Sequence, residues 1–228
     1  MKECYQKFLG ETLDMNIAQG TSSWILIPFI FLILFGIGYV LTNNDIQVLL
    51  LFFFLITGII EIFFLMFFRD PERPTGDGLV AVADGKIQFI QERNDKDIGE
   101  SIQIATFMNV HNVHVNRMPI DGTILDITHI PGGYLPAFKK ESERNERVVT
   151  LIDSSIGRIK VVQIAGTLAK RIVWYGKKKQ QLIKGQRFGM IKLGSRVDII
   201  IPKHMKQSIT VSIGDRVRAG VDTICNLP

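Results

Sequence analysis

Hydrophobic positions are distributed unevenly along the chain, with two long apolar runs first and many short β-rich runs after them. Residues 24–41 form a stretch of 18 residues without a charge, and residues 48–68 form one of 21 with Glu61 as its one charge. At about 1.5 Å rise per residue, a helix of either length can cross the roughly 30 Å hydrocarbon core of a bilayer. Six residues separate the runs, so they predict a transmembrane helical hairpin over residues 24–68. Buried core helices of a soluble protein are the alternative.

Basic residues flank this hairpin at its two outer ends and are missing from the loop inside it. Lys2 and Lys7 precede the first helix, within residues 1–23, and Arg69 and Arg73 follow the second. Basic residues accumulate on the cytoplasmic side of membrane helices. The sequence therefore predicts a protein of the cytoplasmic (inner) cell membrane, with its termini and the part after the hairpin in the cytoplasm.

The pattern changes after the hairpin. Residues 69–78, RDPERPTGDG, are rich in Pro, Gly and charge, which predicts a linker. From residue 79 onward, runs such as SIQIATFM, IKVVQIAG and RVDIII alternate with turn residues, and their β-branched content favours strands. The sequence predicts a mainly-β domain over residues 79–228, a sandwich or barrel-sandwich hybrid anchored by the N-terminal transmembrane hairpin.

The charge of the chain favours an anionic surface as its partner. The net charge is +5, and residues 69–228 hold 25 of the 27 basic and 17 of the 22 acidic residues, a local net charge of +8. Each basic residue near an anionic lipid surface contributes about 1 kcal/mol of attraction, so a membrane phospholipid is the expected partner. Nucleic acid is not expected, because no basic motif is interleaved with aromatic residues.

Four polar residues stand out within the β-rich runs. Asp84 follows VAVA, His111 and His114 lie in NVHNVHVN, and Ser195 follows Gly194 between GMIKL and RVDIII. A Gly–Ser pair between strands is by itself an ordinary turn, because glycine adopts backbone angles closed to other residues. Histidines three residues apart in a strand point to opposite faces, and no Cys or carboxylate cluster accompanies them, so no metal site is expected.

These residues belong to five longer motifs. The motifs are ADG at residues 83–85, FMNVHNVHVNRMPIDG at 107–122, ERNERV at 143–148, QIAGTLAKRIV at 163–173 and RFGMIKLGSRVDIIIP at 187–202. In this order and spacing they resemble the short, bacterial-type phosphatidylserine decarboxylase proenzymes, whose archaeal-type relatives act on archaetidylserine. The resemblance covers nearly all of residues 69–228, and the hairpin fits it as well. The charged cluster at residues 143–146 is typical of the family, without a role that its chemistry reveals.

The resemblance implies that the protein cuts its own chain between Gly194 and Ser195. The Ser195 hydroxyl attacks the Gly194 carbonyl, and β-elimination releases residues 1–194 as the large β chain. The residue left at the head of the small α chain, residues 195–228, becomes a pyruvoyl group, the expected cofactor. Its ketone would form a Schiff base with the serine amine of phosphatidylserine, and loss of carbon dioxide would lead to phosphatidylethanolamine.

The resemblance also implies roles for His114 and Asp84. A serine hydroxyl is a weak nucleophile until a base takes its proton. His114 fits as that base and as the acid that protonates the product, with Asp84 to orient it. Longer family members carry H-x-x-H before their Met-Pro; here His114 matches the first histidine and Arg117 stands at the second. Which residue activates Ser195 therefore stays open, and His111, outside the matched positions, is expected to be structural.

Three alternatives stay open at this point. Archaetidylserine shares the phosphoserine head of phosphatidylserine and is the first. Residues 211–224, VSIGDRVRAGVDTI, resemble the turn sequence of lipoyl-type domains, so a membrane-tethered barrel-sandwich binding module without enzyme activity is the second. An inactive lipid-binding homologue is the third, although the retained Gly194, Ser195, His114 and Asp84 argue against it. A homodimer of the processed chains is also compatible with the sequence.

Overall fold

The computed structural model describes residues 15–43, 45–133, 135–136, 144–166, 171–192 and 195–227. The chain divides into two compact units, Met1–Glu72 and Arg73–Pro228. The first unit contains the helices α1 (Ser22–Leu41) and α2 (Ile46–Phe67) and the antiparallel pair β1 (Met15–Ile17) and β2 (Arg69–Pro71). The strands of the second unit are β3 (Leu79–Val80), β4 (Gly85–Asp95), β5 (Gly99–Met108), β6 (Val115–Arg117), β7 (Gly122–Ile130), β8 (Arg147–Ser154), β9 (Gly157–Ala165), β10 (Ile172–Trp174), β11 (Gln181–Leu182), β12 (Arg187–Ile191), β13 (Ser195–Pro202), β14 (Arg216–Val217) and β15 (Thr223–Cys225).

The two helices pack closely where α1 carries glycine. A Cβ at Gly36 would lie 3.3 Å from the ring of Phe54, so a larger residue there would press on this ring. Phe35 of α1 also stacks on Phe53 of α2, with 5.4 Å between the ring centroids. Both helices are long and apolar enough to cross a membrane, and α1 has no buried residue. Most of their side chains are exposed or half-buried, whereas the core helices of a soluble protein would bury them.

An eight-stranded antiparallel sheet dominates the second unit and curls into a half-barrel. Its strand order is β11-β7-β8-β9-β13-β5-β4-β14, which places β13 between β9 and β5. The first seven residues of β13 are buried. Its apolar residues 199–201 are typical of a strand covered on both faces, whereas Ser195, Arg196 and Asp198 are polar residues buried in the same strand.

A smaller three-stranded sheet, in the order β10-β12-β6, packs on one face of the half-barrel. Ile172 of β10 and Ile191 of β12 contact the core, which also contains Val197 of β13 and Val161 of β9. Strands β3 and β15 form a separate pair near the C-terminus. The chain therefore passes from the small sheet at β12 to the centre of the large sheet at β13 within the few residues around 194.

The mainly-β prediction and the two apolar helices are confirmed, with each helix beginning two residues before its predicted start. The predicted linker at residues 69–78 is more ordered than its composition suggested. Its first residues form β2 with the backbone hydrogen bonds of an antiparallel pair, and the Arg73 side chain is buried in an ion pair with Asp84. A Pro- and Gly-rich segment can be held by such contacts from elsewhere in the chain, which local composition does not reveal.

Candidate active site

Ser195 is the first residue of β13 and is completely buried. It lies opposite Met108 of β5 and Ala165 of β9. Its Oγ hydroxyl donates to the Met108 sulfur at 3.2 Å. Gly194, the other residue of the predicted cleavage site, lies outside the described residues. The structure thus places the predicted nucleophile at the start of the central strand, in surroundings that are mostly apolar.

The backbone of Ser195 is oriented by the ladder around it. The Ala165 amide donates to the Glu146 carbonyl at 2.9 Å, and the Ala165 carbonyl accepts from Asn145 at 2.7 Å, so Ala165 turns both groups toward β8. In an antiparallel ladder such a residue forms a non-hydrogen-bonded pair with the strand on its other side. Ser195 therefore turns its own N–H and C=O away from β9 and toward Met108 of β5.

Asn145, the uncharged member of the cluster at residues 143–146, has a structural role. Its side chain is fully buried and donates to the carbonyls of Ala165, at 2.7 Å, and Leu135, at 2.6 Å. Its Oδ1 accepts from the Leu135 amide at 2.8 Å. Asn145 thus fastens the segment around residue 135 to the end of β9 beside Ser195. Glu143, from the same cluster, lies outside the described residues.

His114 lies just before β6 and is also completely buried. Its carbonyl accepts a backbone hydrogen bond from Ile191 at 3.4 Å, which places it beside the end of β12, four residues before Ser195. Its Nδ1 is 2.8 Å from the Asn112 carbonyl oxygen. Because a carbonyl only accepts, Nδ1 carries the proton in this arrangement, and the neutral ring has its lone pair on the buried Nε2. His114 is therefore in the tautomer that a general base at Nε2 requires.

Asp84 is buried, but its contacts differ from the predicted ones. Arg73 Nη1 and Nη2 donate to its two carboxylate oxygens at 2.6 and 2.9 Å, and the Ala219 amide donates at 2.8 Å. Nδ1 of His114, the atom that an orienting carboxylate would contact, is bonded to Asn112 instead. The predicted Asp84–His114 hydrogen bond is not formed between these two described residues. The two N–H groups of the Arg73 guanidinium match the two oxygens of a carboxylate better than a single imidazole N–H does. A role for Asp84 in the chemistry stays a prediction.

Arg117 and His111 occupy different environments from His114. The Arg117 amide donates to the Val82 carbonyl, and its Nη1 donates to the Gly185 carbonyl at 3.3 Å. Its side chain packs on Gly220, where φ is +76° and a Cβ would come within 2.8 Å of the Arg117 side chain. His111 lies exposed in the turn before β6. Of the two histidines, the structure brings only His114 into the layer between the sheets.

A buried amide pair that sequence reasoning missed joins the two sheets in this layer. Gln163 of β9 donates from Nε2 to Oδ1 of Asn116, in β6, at 2.7 Å, and both side chains are fully buried. Asn116 lies two residues after His114, and Gln163 lies two residues before Ala165, the partner of Ser195. Within the described part of the chain, Asn116 Nδ2 and Gln163 Oε1 have no hydrogen-bond partner. A free donor and a free acceptor are thus held close to the candidate site.

The opposite face of β13 carries a separate charged network. Arg196 donates from Nε and Nη2 to the Asp198 carboxylate at 2.8 and 3.0 Å, and Gln103 donates to the same group at 2.6 Å. Lys160 pairs with Asp95 at 2.5 Å. A cavity of about 600 Å³ opens on this face. Because alternate residues of a strand point to opposite faces, Arg196 and Asp198 anchor β13 without entering the layer that holds Ser195.

No group of three His, Cys, Asp or Glu side chains that could hold a metal ion occurs among the described residues. The candidate site consists of Ser195, His114 and the amide pair, and Asp84 is bonded to Arg73 and to the Ala219 amide. Its chemical capability is that of a buried hydroxyl with a basic imidazole nitrogen in the same layer.

Comparison with known proteins identifies the group to which the chain is similar. The family described as phosphatidylserine decarboxylase matches residues 60–225. A putative archaetidylserine decarboxylase proenzyme from Methanococcoides burtonii is 42% identical over 211 residues, which cover 91% of this chain and 95% of the relative. A phosphatidylserine decarboxylase proenzyme from Streptomyces griseus is 47% identical over 161 residues, 70% of this chain and 72% of the relative. A putative archaetidylserine decarboxylase proenzyme from Methanosarcina acetivorans is 47% identical over 168 residues, 72% of this chain and 76% of the relative.

Proposed function

Because this chain belongs to the phosphatidylserine decarboxylase family and is a decarboxylase, we propose that it converts phosphatidylserine to phosphatidylethanolamine with a pyruvoyl group made from its own Ser195. The group would form by self-cleavage between Gly194 and Ser195. The observation that supports this proposal best is the position of Ser195, fully buried at the first residue of the central strand, with His114 beside the end of the preceding strand.

The surroundings of Ser195 fit a pyruvoyl group. The group has the size of the serine that it replaces, with a methyl in place of the CH₂OH, and the side chain already lies against the Met108 sulfur and opposite Ala165. A pyruvoyl group at this position would bind the substrate amine through its ketone and supply the conjugated acceptor for the electron pair that carbon dioxide leaves behind. Met108 and Ala165 would exclude water from the ketone. The hydrogen-bonded ladder between β13 and β5 would fix the carbonyl group of residue 195, which lies in the peptide bond to Arg196.

His114 is the residue that we propose to move protons. Its Nε2 would take the proton of the Ser195 hydroxyl during cleavage, because a serine attacks only when a base accepts its proton. After decarboxylation the same nitrogen would deliver a proton to the substrate carbon, as imidazole can do near neutral pH. The hydrogen bond from Nδ1 to the Asn112 carbonyl keeps the proton of the neutral ring on Nδ1, so that Nε2 is the nitrogen that can accept one.

The two chains that cleavage would produce are held together by the fold. The C-terminal piece contributes β13, which lies between β9 and β5, as well as β14 and β15, which pair with β4 and β3. The Ala219 amide also bonds to Asp84 across the two pieces. We therefore expect the β chain, residues 1–194, and the α chain, residues 195–228, to stay associated without a covalent link.

The membrane hairpin suits a lipid substrate. Withdrawing a phospholipid from the bilayer costs about 0.8 kcal/mol for each exposed CH₂ group, so the enzyme must work at the interface. Two helices that could span a membrane would keep it there, and the basic residues at their outer ends would place the β domain on the cytoplasmic side.

Intact mass of the purified chain tests this proposal. The wild type should give two species, of 194 and 34 residues, and the small one should have a pyruvoyl mass and resist Edman degradation. Ser195→Ala should stay uncut and inactive. Ser101→Ala is the matched control, since Ser101 is an equally buried serine of neighbouring β5 whose Oγ bonds to the Arg93 carbonyl. A fully active wild type of a single uncut species would refute the proposal.

Archaetidylserine is a second candidate substrate, because the relative that covers 91% of this chain carries that name. The diacyl and the isoprenoid-ether lipids share the phosphoserine head. Decarboxylation of both lipids at equal concentration in mixed micelles distinguishes the candidates, and the proposal of phosphatidylserine requires the diacyl lipid to have the higher kcat/KM.

A further inference from the structure

The buried amide pair of Asn116 and Gln163 lies on the face of the large sheet that carries the Ser195 side chain. Gln163 is opposite Val197 of β13, just as Ala165 is opposite Ser195. Paired residues of an antiparallel ladder point to the same face, and so do residues two apart in one strand. Gln163 is therefore a diagonal neighbour of Ser195, about 7–8 Å away, which is within reach of a long side chain.

The small sheet makes room for this pair with a glycine. Asn116 of β6 pairs with Gly189 of β12. A Cβ at Gly189 would lie 2.9 Å from Gln163 Nε2 and 2.8 Å from the Val173 carbonyl oxygen. A glycine inside a strand often marks a place where another group must approach closely. The two amides are thus accommodated by both sheets.

Half of the hydrogen-bonding capacity of the pair is unused among the residues that the structure describes. Asn116 Nδ2, a donor, and Gln163 Oε1, an acceptor, have no partner there, and both side chains are fully buried. An unbonded polar atom in the interior costs free energy, whereas two apolar side chains of the same shape would avoid this cost. A ligand that offers both an acceptor and a donor would satisfy the two atoms.

We propose that the Asn116–Gln163 pair binds the amino-acid end of the substrate headgroup, with Asn116 Nδ2 donating to the serine carboxylate and Gln163 Oε1 accepting from the serine amine. The inference rests on the proposed function, since phosphatidylserine carries both groups on one carbon. With bonds of about 1.5 Å, a carboxylate oxygen lies about 3 Å from the amine nitrogen, and a hydrogen bond adds about 3 Å. The recognising groups must then lie within about 6 Å of the reacting amine, a distance that the side chain of a diagonal neighbour of Ser195 can cover.

Neutral amides suit this carboxylate better than a cation would. Loss of carbon dioxide removes the carboxylate charge, so a guanidinium or ammonium paired with it would stabilise the starting state more than the transition state. An amide N–H orients the carboxylate through a weaker hydrogen bond. The pair would also distinguish substrate from product, because phosphatidylethanolamine has no carboxylate and would leave the buried Asn116 donor unbonded.

Binding of two soluble headgroups tests the inference. Glycerophosphoserine and glycerophosphoethanolamine differ only in the carboxylate, and neither has a lipid tail. The full-length chain in detergent is first treated with borohydride, which would deliver hydride to the ketone carbon of a pyruvoyl group while solvent protonates the oxygen, so that the amine has no ketone to attack. Isothermal titration calorimetry should then show at least about tenfold tighter binding of glycerophosphoserine, since a hydrogen bond to a charged group is gained.

The double variant Asn116→Leu/Gln163→Met separates recognition from structure, because it fills the same space and leaves no buried amide unbonded. It should cleave normally and unfold at the wild-type temperature or above it. It should nevertheless bind the two headgroups within about twofold of each other, and its kcat/KM on short-chain phosphatidylserine should fall at least about tenfold. Gln91→Met is the matched control and should keep the preference. Gln91 also donates from Nε2 to a second amide, that of Gln103, at 3.0 Å, but on the face of the sheet that carries Asp198.

Four results decide the matter. A wild type without the preference for the serine head, or a double variant that folds and keeps it, would overturn the inference. A double variant that folds but stays uncut would overturn it as well, because the pair then serves cleavage. If the double variant does not fold, Asn116→Asp takes its place: it keeps an oxygen for the Gln163 amide and replaces only the unbonded donor, so an unchanged preference would overturn the inference. A wild type that has the preference but decarboxylates no serine phospholipid would refute the proposed function alone.

Discussion

Replacing Asp84 by asparagine separates a structural role of this residue from a chemical one. In the structure Asp84 and Arg73 form a two-pronged ion pair, with side chains only 9% and 6% exposed. Asparagine has the same shape and keeps an oxygen for the Ala219 amide, but it turns an NH₂ group toward the guanidinium. Asp84→Asn would therefore remove the negative charge that Asp84 places beside the buried Arg73 side chain.

The magnitude follows from that burial. Removing one partner of a buried ion pair costs about 3–5 kcal/mol, because the remaining charge is uncompensated. This is a large fraction of the roughly 5–15 kcal/mol that holds an ordinary domain folded. Arg73→Met should cost a comparable amount, reduced by the Ala219 amide that still binds the carboxylate. The double variant should recover part of the loss, because neither charge is then left alone.

The assay measures stability and cleavage separately. Thermal unfolding is followed in the Ser195→Ala background, where every molecule is one uncut chain. Cleavage is followed by gel electrophoresis as the large and small chains appear after synthesis in the native background. We expect Asp84→Asn and Arg73→Met to lower the unfolding temperature together and to slow cleavage in proportion.

One result would refute this reasoning. If Asp84→Asn unfolds like its parent and does not cleave, while Arg73→Met cleaves at the normal rate, Asp84 acts in the chemistry and the ion pair is incidental. The original expectation that Asp84 orients His114 would then be the better account of both residues.

Three other predictions concern His114, Asp95 and the helical hairpin. His114→Ala should abolish cleavage or decarboxylation, measured by gel and by release of carbon dioxide, whereas exposed His111→Ala should keep most of both; equal losses would contradict the assignment. Burial has the largest single effect on the pKa of Asp95 and would raise it, but the hydrogen bonds from Lys160 and the Asp97 amide, with the charges of Lys160 and Arg93, together outweigh burial and lower the pKa. Asp95 therefore stabilises the fold above the ordinary aspartate pKa, and this contribution disappears as the pH falls through the lowered value. Asp95→Asn should unfold at a lower temperature than the wild type at pH 7, and the difference should vanish in acid; a constant difference would show that the carboxylate charge is irrelevant. A chain that begins at Arg73 should still cleave itself, because the second unit is compact, but should act poorly on vesicles relative to a soluble short-chain substrate; equal losses on both substrates would make the hairpin part of the catalytic fold.

The helices and the mainly-β character could be predicted because their signals are local. Long uncharged runs determine a helix that lipid can surround, and β-branched runs between turns determine strands. Ser195 was found through its motif, since a Gly–Ser pair without that context predicts only a turn. The sequence indicated neither the order of the strands nor the central place of β13, because pairing depends on contacts between distant residues.

The contacts of the site could not be predicted for the same reason. Arg73 lies in a segment with the composition of a linker, and only the folded chain brings it to Asp84, 11 residues later, and to Ala219. Gln163 and Asn116 are 47 residues apart and meet because two separate sheets pack face to face.

The position of the proposed cut reconciles a stable fold with a broken chain. Ser195 begins β13, so a cut before it leaves intact the pairs that join this strand to β5 and β9. The bond that would break lies in the chain between β12 and β13, which belong to different sheets. Cutting it would therefore remove a covalent link between the sheets and keep the hydrogen-bonded ladders within them. Ser195 is completely buried in the uncut chain, and a phospholipid headgroup must reach it. Freeing the end of β12 beside His114 is the change that would open this layer, so the same cleavage that makes the reactive group would also admit the substrate.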